Sequence, residues 1–287
     1  MNNNAFFLGI DGGGTKCLAR LQDASGNLLA QCQTGPANPA QDAGSALTQI
    51  ELALDTLLQR TGLTPEIWGR TSAVLGLAGV NIPAYQQLAE SWPLPFANLR
   101  VVSDLHIACI GAHRSEAGAV IITGTGSSAV VMHHQKPVYL GGHGFPLGDK
   151  ASGAWLGWRA LSLTLETLDG LHPQNQLTEA VCRQLQSSAS QDIVTQTLKY
   201  RPADFAQLAP LVFAQAPSCG ESRVLLKEGA DYLASLVHRL NSYAPSRCAI
   251  IGGLAASWIP WLNPDVVNLL TPALQEPIDG ALWLAAR

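Results

Sequence analysis

The 287-residue sequence predicts an α/β protein built as a duplication, with two related domains facing one another across a central cleft. Three observations carry that expectation. An apolar run ends in Asp11-Gly12-Gly13-Gly14-Thr15 and a second, alternating run follows it, which reads as a β-hairpin with a glycine tip. The order strand, glycine hairpin, strand, strand returns near residue 119, with Gly124-Thr125-Gly126-Ser127 at the tip. Segments with helical apolar spacing lie after each block.

The elements follow in order from local patterns. Strands are expected at 5–10, 17–22 and 27–33, with Ser25-Gly26-Asn27 as the turn between the second and third. Gly35-Pro36-Ala37-Asn38-Pro39 reads as a loop, and 42–60 as an amphipathic helix ending near Gly62. A buried strand at 71–77, a short helix at 83–91, a strand at 99–103 and a helix at 105–113 complete the first half. The second half opens with strands at 119–123, 129–132 and 136–140, the last running into Gly141-Gly142-His143-Gly144. Helical periodicity then covers 153–168, 176–186, 204–214 and 221–243. A strand at 247–251 leads into Gly252-Gly253; Val266-Val267-Asn268-Leu269 reads as a last short strand and 280–286 as a last helix. No low-complexity linker separates the halves, so the boundary is expected in the turn near 112–117, giving domains at 1–112 and 113–287.

Composition narrows the function. Charged residues make up only 13% of the chain, against a usual ~25%. A net charge of −4 offers no basic patch for nucleic acid. Met1-Asn2-Asn3-Asn4 has no basic n-region, and the apolar run after it is too short for a secretory signal. No stretch approaches the ~20 apolar residues that span a bilayer. The expectation is a cytoplasmic protein with neither nucleic acid nor membrane as partner. The cysteines, at 17, 32, 109, 182, 219 and 248, are too dispersed for a zinc or iron–sulfur pair and are expected to be free and mostly buried. The histidines, including His133-His134 and His143, lack ligand spacing and read as ordinary polar side chains.

The first hairpin nearly spells a P-loop, but Thr15 precedes Lys16, and a period-two segment follows where a helix is required. A dinucleotide fingerprint fails for the same reason. What remains is a hairpin whose backbone N–H groups can approach a phosphate, with Asp11 facing the accompanying cation, set against a plain unliganded turn. Three consecutive glycines cost backbone entropy that an ordinary turn does not require. Paired with Gly124–Ser127, the hairpin makes a candidate clamp for two nucleotide phosphates, with magnesium held through water near Asp11. Either Ser103 or Asp104 simply caps the helix that follows, or Asp104, at a strand's C-terminal end in an α/β cleft, takes the proton of an attacking alcohol; spacing leaves both open. Asp149 opens a helix for which Ser152 is the better cap, or grips substrate hydroxyls. Asn38 and Gly76-Leu77-Ala78-Gly79 are turn residues or pocket lining, and Gly252-Gly253 is a tight turn or a platform for purine and ribose.

In this order the motifs resemble those of the actin/hexokinase-type ATPases. More narrowly they resemble the N-acetylglucosamine kinase group, the BadF/BadG/BcrA/BcrD ATPase family, from Ile10 to Asp279-Gly280-Ala281. The resemblance implies two ribonuclease H-like domains, the second carrying a helical insertion. It implies that Gly12, Gly13, Gly14, Thr15 and Lys16, with Gly124, Thr125, Gly126 and Ser127, are the phosphate motifs of an ATP site, and Gly252-Gly253 the adenosine motif. Asp104 would be the catalytic base, and Asn38, Ala78, Gly79, Asp104 and Asp149 would meet the sugar. The activity implied is ATP- and magnesium-dependent phosphorylation of the 6-hydroxyl of glucosamine or N-acetylglucosamine, in a possible homodimer. One departure bears on the sugar: the chain has Gly148-Asp149-Lys150-Ala151-Ser152 where family members usually read Gly-Asp-Glu-Gly-Ser. Two other branches fit less well. A reductase activator needs cysteines to hold a cluster between subunits, which the dispersed cysteines oppose. A sugar-sensing repressor needs an added helix-turn-helix, for which a first strand at about residue 5 leaves no room.

Overall fold

The computed structural model describes residues 6–134 and 136–287. Met1–Asn4, read as lacking a basic n-region, and Ala5, where the first strand is expected to start, lie outside the described residues. Strands β1 (Phe6–Gly12), β2 (Cys17–Asp23) and β3 (Leu28–Thr34) form an antiparallel meander. A helix α1 (Pro39–Thr61) follows, then β4 (Thr71–Leu77), α2 (Pro83–Glu90) and β5 (Asn98–Ser103). Both β4 and β5 run parallel to β1, giving the order β3-β2-β1-β4-β5. After α3 (Asp104–His113) the meander recurs as β6 (Gly118–Thr123), β7 (Ser127–His133) and β8 (Lys136–Gly141). Six helices intervene before β9: α4 (Gly153–Leu168), α5 (Gln176–Leu185), α6 (Ser190–Thr197), α7 (Pro202–Ala206), α8 (Ala209–Gln215) and α9 (Gly220–Asn241). The strand β9 (Cys248–Ile251) lies parallel beside β6, and the second sheet reads β8-β7-β6-β9. The chain closes with α10 (Ala255–Trp258), α11 (Pro264–Val267) and α12 (Pro277–Ala285).

The layers follow from which faces are apolar. On α1, Ala46, Ile50, Ala53 and Leu57 recur at helical spacing and bury against Leu8 and Ile10 of β1. Phe7 points to the other side of the same strand, where Ile107 and Ile110 of α3 meet Ala281 and Leu282 of α12. The opposite side of α3 presents Leu105, Ala108, Cys109 and Ala112 to Val120, Val130 and Ala249 of the second sheet. Because α3 lies between the two sheets, it is apolar on every side. Glycines bring it close to α12: a Cβ on Gly111 or on Gly280 would fall inside backbone atoms of Glu276 or Ile107 respectively.

Two expectations are corrected. The segment 204–214 is not one helix but α7 and α8, with Pro210 in the first turn of α8. Proline lacks the N–H that would continue the earlier helix, and its ring clashes with the preceding turn. Residues 266–269 are not a strand. Pro264 starts α11, and the Asn263 carbonyl accepts from the Val266 and Val267 N–H groups, both at 3.0 Å. Beside β9 the Thr271 N–H and hydroxyl both donate to the Cys248 carbonyl, at 2.7 and 3.1 Å, and among the described residues no strand in the second sheet corresponds to β5. The helix α6 carried no expectation. Among the described residues no helix is long and apolar enough to cross a membrane.

Candidate active site

The parallel register sets Gly12 beside Leu77 and Leu77 beside Ser103, so the residues after each emerge at one edge of the first sheet. That edge collects Gly13–Lys16, Ala78-Gly79 and Asp104, outside the C-terminal ends of the strands where α/β folds bind ligands. The loop before α1 joins them, since the Ala37 N–H donates to the Gly13 carbonyl at 3.0 Å. Asn38 caps α1, its Oδ1 accepting from the Ala40 N–H at 3.0 Å. Gly79 has φ +85°, and a Cβ there would stand 2.6 Å from the Ala40 Cβ and 2.7 Å from Asn38 Oδ1, so no other residue fits. At the hairpin tip the Gly13 N–H donates to the Lys16 carbonyl at 2.9 Å. The N–H groups of Gly14 and Thr15 donate to no carbonyl among the described residues.

Two carboxylates share this edge. Ser103 is the cap of α3, its Oγ accepting from the His106 N–H at 3.2 Å. Asp104 is therefore not the N-cap, although its Oδ1 accepts from the first-turn Leu105 N–H at 2.8 Å. Burial pushes its carboxyl up to about 6, against the pull of backbone N–H groups. Asp11, at the end of β1, is pushed up to about 7 by burial and then by the charge of Asp104, while Lys16 opposes the rise. Because the Asp104 charge raises the Asp11 carboxyl, the ionisation of one is linked to that of the other.

The second sheet repeats the corner. Thr123 pairs with Ser127 across the hairpin, and the Gly124 N–H donates to the Gly126 carbonyl at 2.9 Å. Gly252 has φ +102°, and a Cβ there would run into the Thr123 carbonyl; beside it, Gly253 borders open space. The Leu254 N–H donates to the Thr123 carbonyl at 3.1 Å, as the Ala78 N–H donates to Gly12 at 2.8 Å in the first sheet. The N–H groups of Gly153 and Ala154, at the head of α4, donate to the carbonyls of Gly124 and Thr125 at 2.7 and 3.1 Å. Ser152 caps the helix, accepting from the Trp155 N–H at 3.1 Å. The N-terminus of α4 is thus occupied by the hairpin itself.

Hydroxyls bolt the 149–151 segment to that hairpin. Ser127 Oγ donates to the Lys150 carbonyl at 2.6 Å, and Thr123 Oγ1 to the Ala151 carbonyl at 2.8 Å, which also accepts from Trp258 Nε1 at 3.0 Å. The Ser127 side chain is therefore engaged within the protein. Asp149 lies against Gly126, where a Cβ would be 2.9 Å from its Oδ2, and the N–H groups of Ser127 and Gly144 face its carboxylate. Burial raises the Asp149 carboxyl above its usual range. The residues singled out from the sequence thus form two sets. One is Asp11–Lys16 with Asn38, Ala78, Gly79 and Asp104; the other is Gly124–Ser127 with Asp149, Gly252 and Gly253.

A family model, that of the BadF/BadG/BcrA/BcrD ATPases, matches residues 8–259. The chain belongs to this family. The glucosamine kinase GspK of Vibrio cholerae serotype O1 is 31% identical over 288 residues, covering 98% of this chain and 96% of its own. The N-acetyl-D-glucosamine kinase of Dictyostelium discoideum is 28% identical over 252 residues, covering 81% and 78%. Among solved structures, a candidate N-acetylglucosamine kinase of Chromobacterium violaceum has a TM-score of 0.93 at 30% identity, covering 99% of this chain and 100% of that one. The fold of this ATPase is the actin/hexokinase-type α/β architecture with two sheets, and family membership makes it a user of ATP.

Lys150, the departure from the usual Glu, is matched inside the protein. Its Nζ lies 2.9 Å from Glu228 Oε1 on α9, and Arg159 Nη1 lies 2.8 Å from Oε2 of the same carboxylate. Both cations stand over the Trp155 ring, at 5.9 and 5.5 Å from its centroid. Burial alone would raise the Glu228 carboxyl, but Lys150 and Arg159 outweigh it and hold it below its usual range. Sequence reasoning did not single out Glu228, nor Gln41, whose Nε2 stands 3.4 Å from where a Gly14 Cβ would be. The cue for Gln41 is Asp42, which leaves helical geometry (φ −159°, ψ 102°) and restarts α1 by accepting from the Ser45 N–H at 2.9 Å. The short turn before it is thereby aimed at the hairpin.

Proposed function

We propose that this ATPase is an amino-sugar kinase, transferring the γ-phosphate of ATP to the 6-hydroxyl of glucosamine or N-acetylglucosamine. The observation that carries the reading is Asp104, a half-buried carboxyl at the edge that also presents the Gly12–Lys16 hairpin and the Asn38–Gly79 corner. One of its oxygens is held by the Leu105 N–H; the other takes the proton of the attacking hydroxyl. Its raised pKa brings its basicity toward neutrality, where a general base is worth about 10²–10⁴-fold. The free N–H groups of Gly14 and Thr15, with those of Thr125 and Gly126, cradle the phosphates from the two sheets. The ribose and purine lie over Gly252-Gly253, on the side where Gly253 borders open space. Asn38, Ala78, Gly79 and Asp149 meet the sugar and its C2 substituent.

A divalent cation fits the Asp11–Asp104 edge, because both carboxyls are raised by burial and Asp11 also by its acidic neighbour, a cost that a nearby positive charge relieves. Asp11 would hold magnesium through water, and when bound the ion would neutralise charge on the transferred phosphoryl group. The lobes divide near residue 112, with α12 returning to pack on β1 of the first lobe. Cytoplasmic location and a homodimer complete the proposal. A reductase-activator role is disfavoured by the cysteines, of which Cys17, Cys32, Cys109, Cys219 and Cys248 are buried and unpaired.

The test is an ADP-coupled assay with a panel of hexoses and hexosamines, with mass detection of the product. ADP release that depends on an amino sugar, with the corresponding 6-phosphate formed, is expected. Normal ATP binding with no amino sugar phosphorylated overturns the proposal.

A further inference from the structure

The two sets of site residues sit on different sheets, and what joins them matters for in-line transfer. Apolar packing through α3 and α12 makes most of the junction. Among the described residues a single hydrogen bond links residues 6–103 to residues 118–251. The hydroxyls of Ser103 and Tyr139 are bonded at 3.0 Å. Tyr139 lies on β8, paired across the sheet with Val130, and its half-buried ring packs on the cluster that α3 makes with the second sheet. Ser103 ends β5 and caps α3, one residue before Asp104.

Capping does not require the tyrosine. The Ser103 Oγ already accepts from the His106 N–H, which satisfies the helix end. Packing does not require the phenol oxygen either, since a phenylalanine ring fills nearly the same space. The hydroxyl of this half-buried side chain finds its partner in Ser103. Its position beside the acidic edge is marked by the charge of Asp104 reaching it. We propose that Tyr139 is a positioning residue for phosphoryl transfer: its bond to Ser103 ties the second sheet to the head of α3 and so fixes where the Asp104 carboxyl stands relative to the Gly124–Ser127 hairpin. The inference rests on the kinase reading. Reaction in line depends on this spacing, and a misplacement of about 1 Å costs on the order of 10²-fold in rate.

Tyr139→Phe removes the bond and keeps the ring. The expected result is a kcat lowered about tenfold, with the KM for ATP within about twofold of wild type because the phosphate hairpins are untouched. ATP hydrolysis without sugar should rise several-fold relative to sugar phosphorylation, since a loosened floor admits water to the γ-phosphate. The thermal midpoint should barely move. Ser103→Ala breaks the same bond and also the cap, and Tyr139→Phe combined with it should cost no more kcat than Ser103→Ala alone. Wild-type kcat and coupling in Tyr139→Phe, or additive losses in the double variant, overturn the inference. Wild-type enzyme is assayed first. Failure of the kinase reading appears there as missing sugar phosphate, whereas failure of the positioning role appears only as unchanged rates in the variant.

Discussion

Burial at the head of α3 leaves Asp104 with a carboxyl that ionises at about 6, where an ordinary aspartate does so at 3.8. The folded chain therefore binds that proton more tightly than the unfolded chain. The resulting stability is complete below pH 3.8 and is lost as pH rises through about 6. Above that, the ionised group burdens the fold by on the order of 3 kcal/mol, less whatever Asp11 shares of the same titration. Asp104→Asn keeps the shape and removes the charge. It should abolish sugar phosphorylation, leave ATP binding almost intact, and stabilise the ligand-free protein by roughly 2–3 kcal/mol at pH 8. The gain should shrink as pH falls toward 4. Urea unfolding at pH 5 and pH 8, with nucleotide titration by calorimetry, measures both arms. Equal destabilisation at the two pH values would contradict the burial argument, and retained turnover would remove Asp104 as the base.

At the scale of elements, the 149–151 segment is fastened on two sides. Hydroxyls of Thr123 and Ser127 hold its backbone, and Glu228 of α9 holds Lys150. Substituting Lys150→Glu sets two carboxylates face to face. It should destabilise by about 1 kcal/mol, the ordinary scale for a partly exposed pair. Reversing both charges, Lys150→Glu with Glu228→Lys, should recover only part of that loss in thermal melts because Arg159 then faces a lysine, and a double variant no better than the single one would show that the pair is not the connection. This pair also illustrates what was legible in the sequence. Strand ends at Gly12, Leu77, Ser103 and Ile251 were readable within a residue or two, because alternation and glycine stops are local signals. From parallel strand ends it also follows that Gly12, Gly79 and Asp104 share an edge. The 266–269 run misled because its β-branched residues suit a strand, whereas Asn263-Pro264 starts a helix there. Glu228 and Tyr139 were invisible for another reason. Each meets its partner only after the chain folds back over dozens of residues, and no spacing rule marks such a meeting.

For the whole molecule, the decisive surface is the crossing of α3 and α12, where both sheets share one helical layer. The first sheet, α12, α3 and the second sheet are stacked through Ile107 and Ile110 on one side and Leu105, Ala108 and Cys109 on the other. Small residues allow that stack to close. Gly280 sits against the Ile107 carbonyl with no space for a methyl group, and Gly111 sits equally close to the Glu276 backbone. The backbone of α3 cannot yield to a new side chain without moving Asp104 at its head. Gly280→Ala should therefore cost about 1–3 kcal/mol of stability, the usual range for overpacking, and should lower kcat as well, since the helix that carries the proposed base must shift. Gly69→Ala is the control: a Cβ there meets nothing within 4 Å, and its effect should stay within about 0.5 kcal/mol. Chemical denaturation and steady-state kinetics on both variants separate the two consequences. If Gly280→Ala is destabilised yet turns over at the wild-type rate, the crossing holds the two sheets together without setting the geometry of the proposed base. If both fall together, the position of the carboxylate is a property of the packing between the sheets.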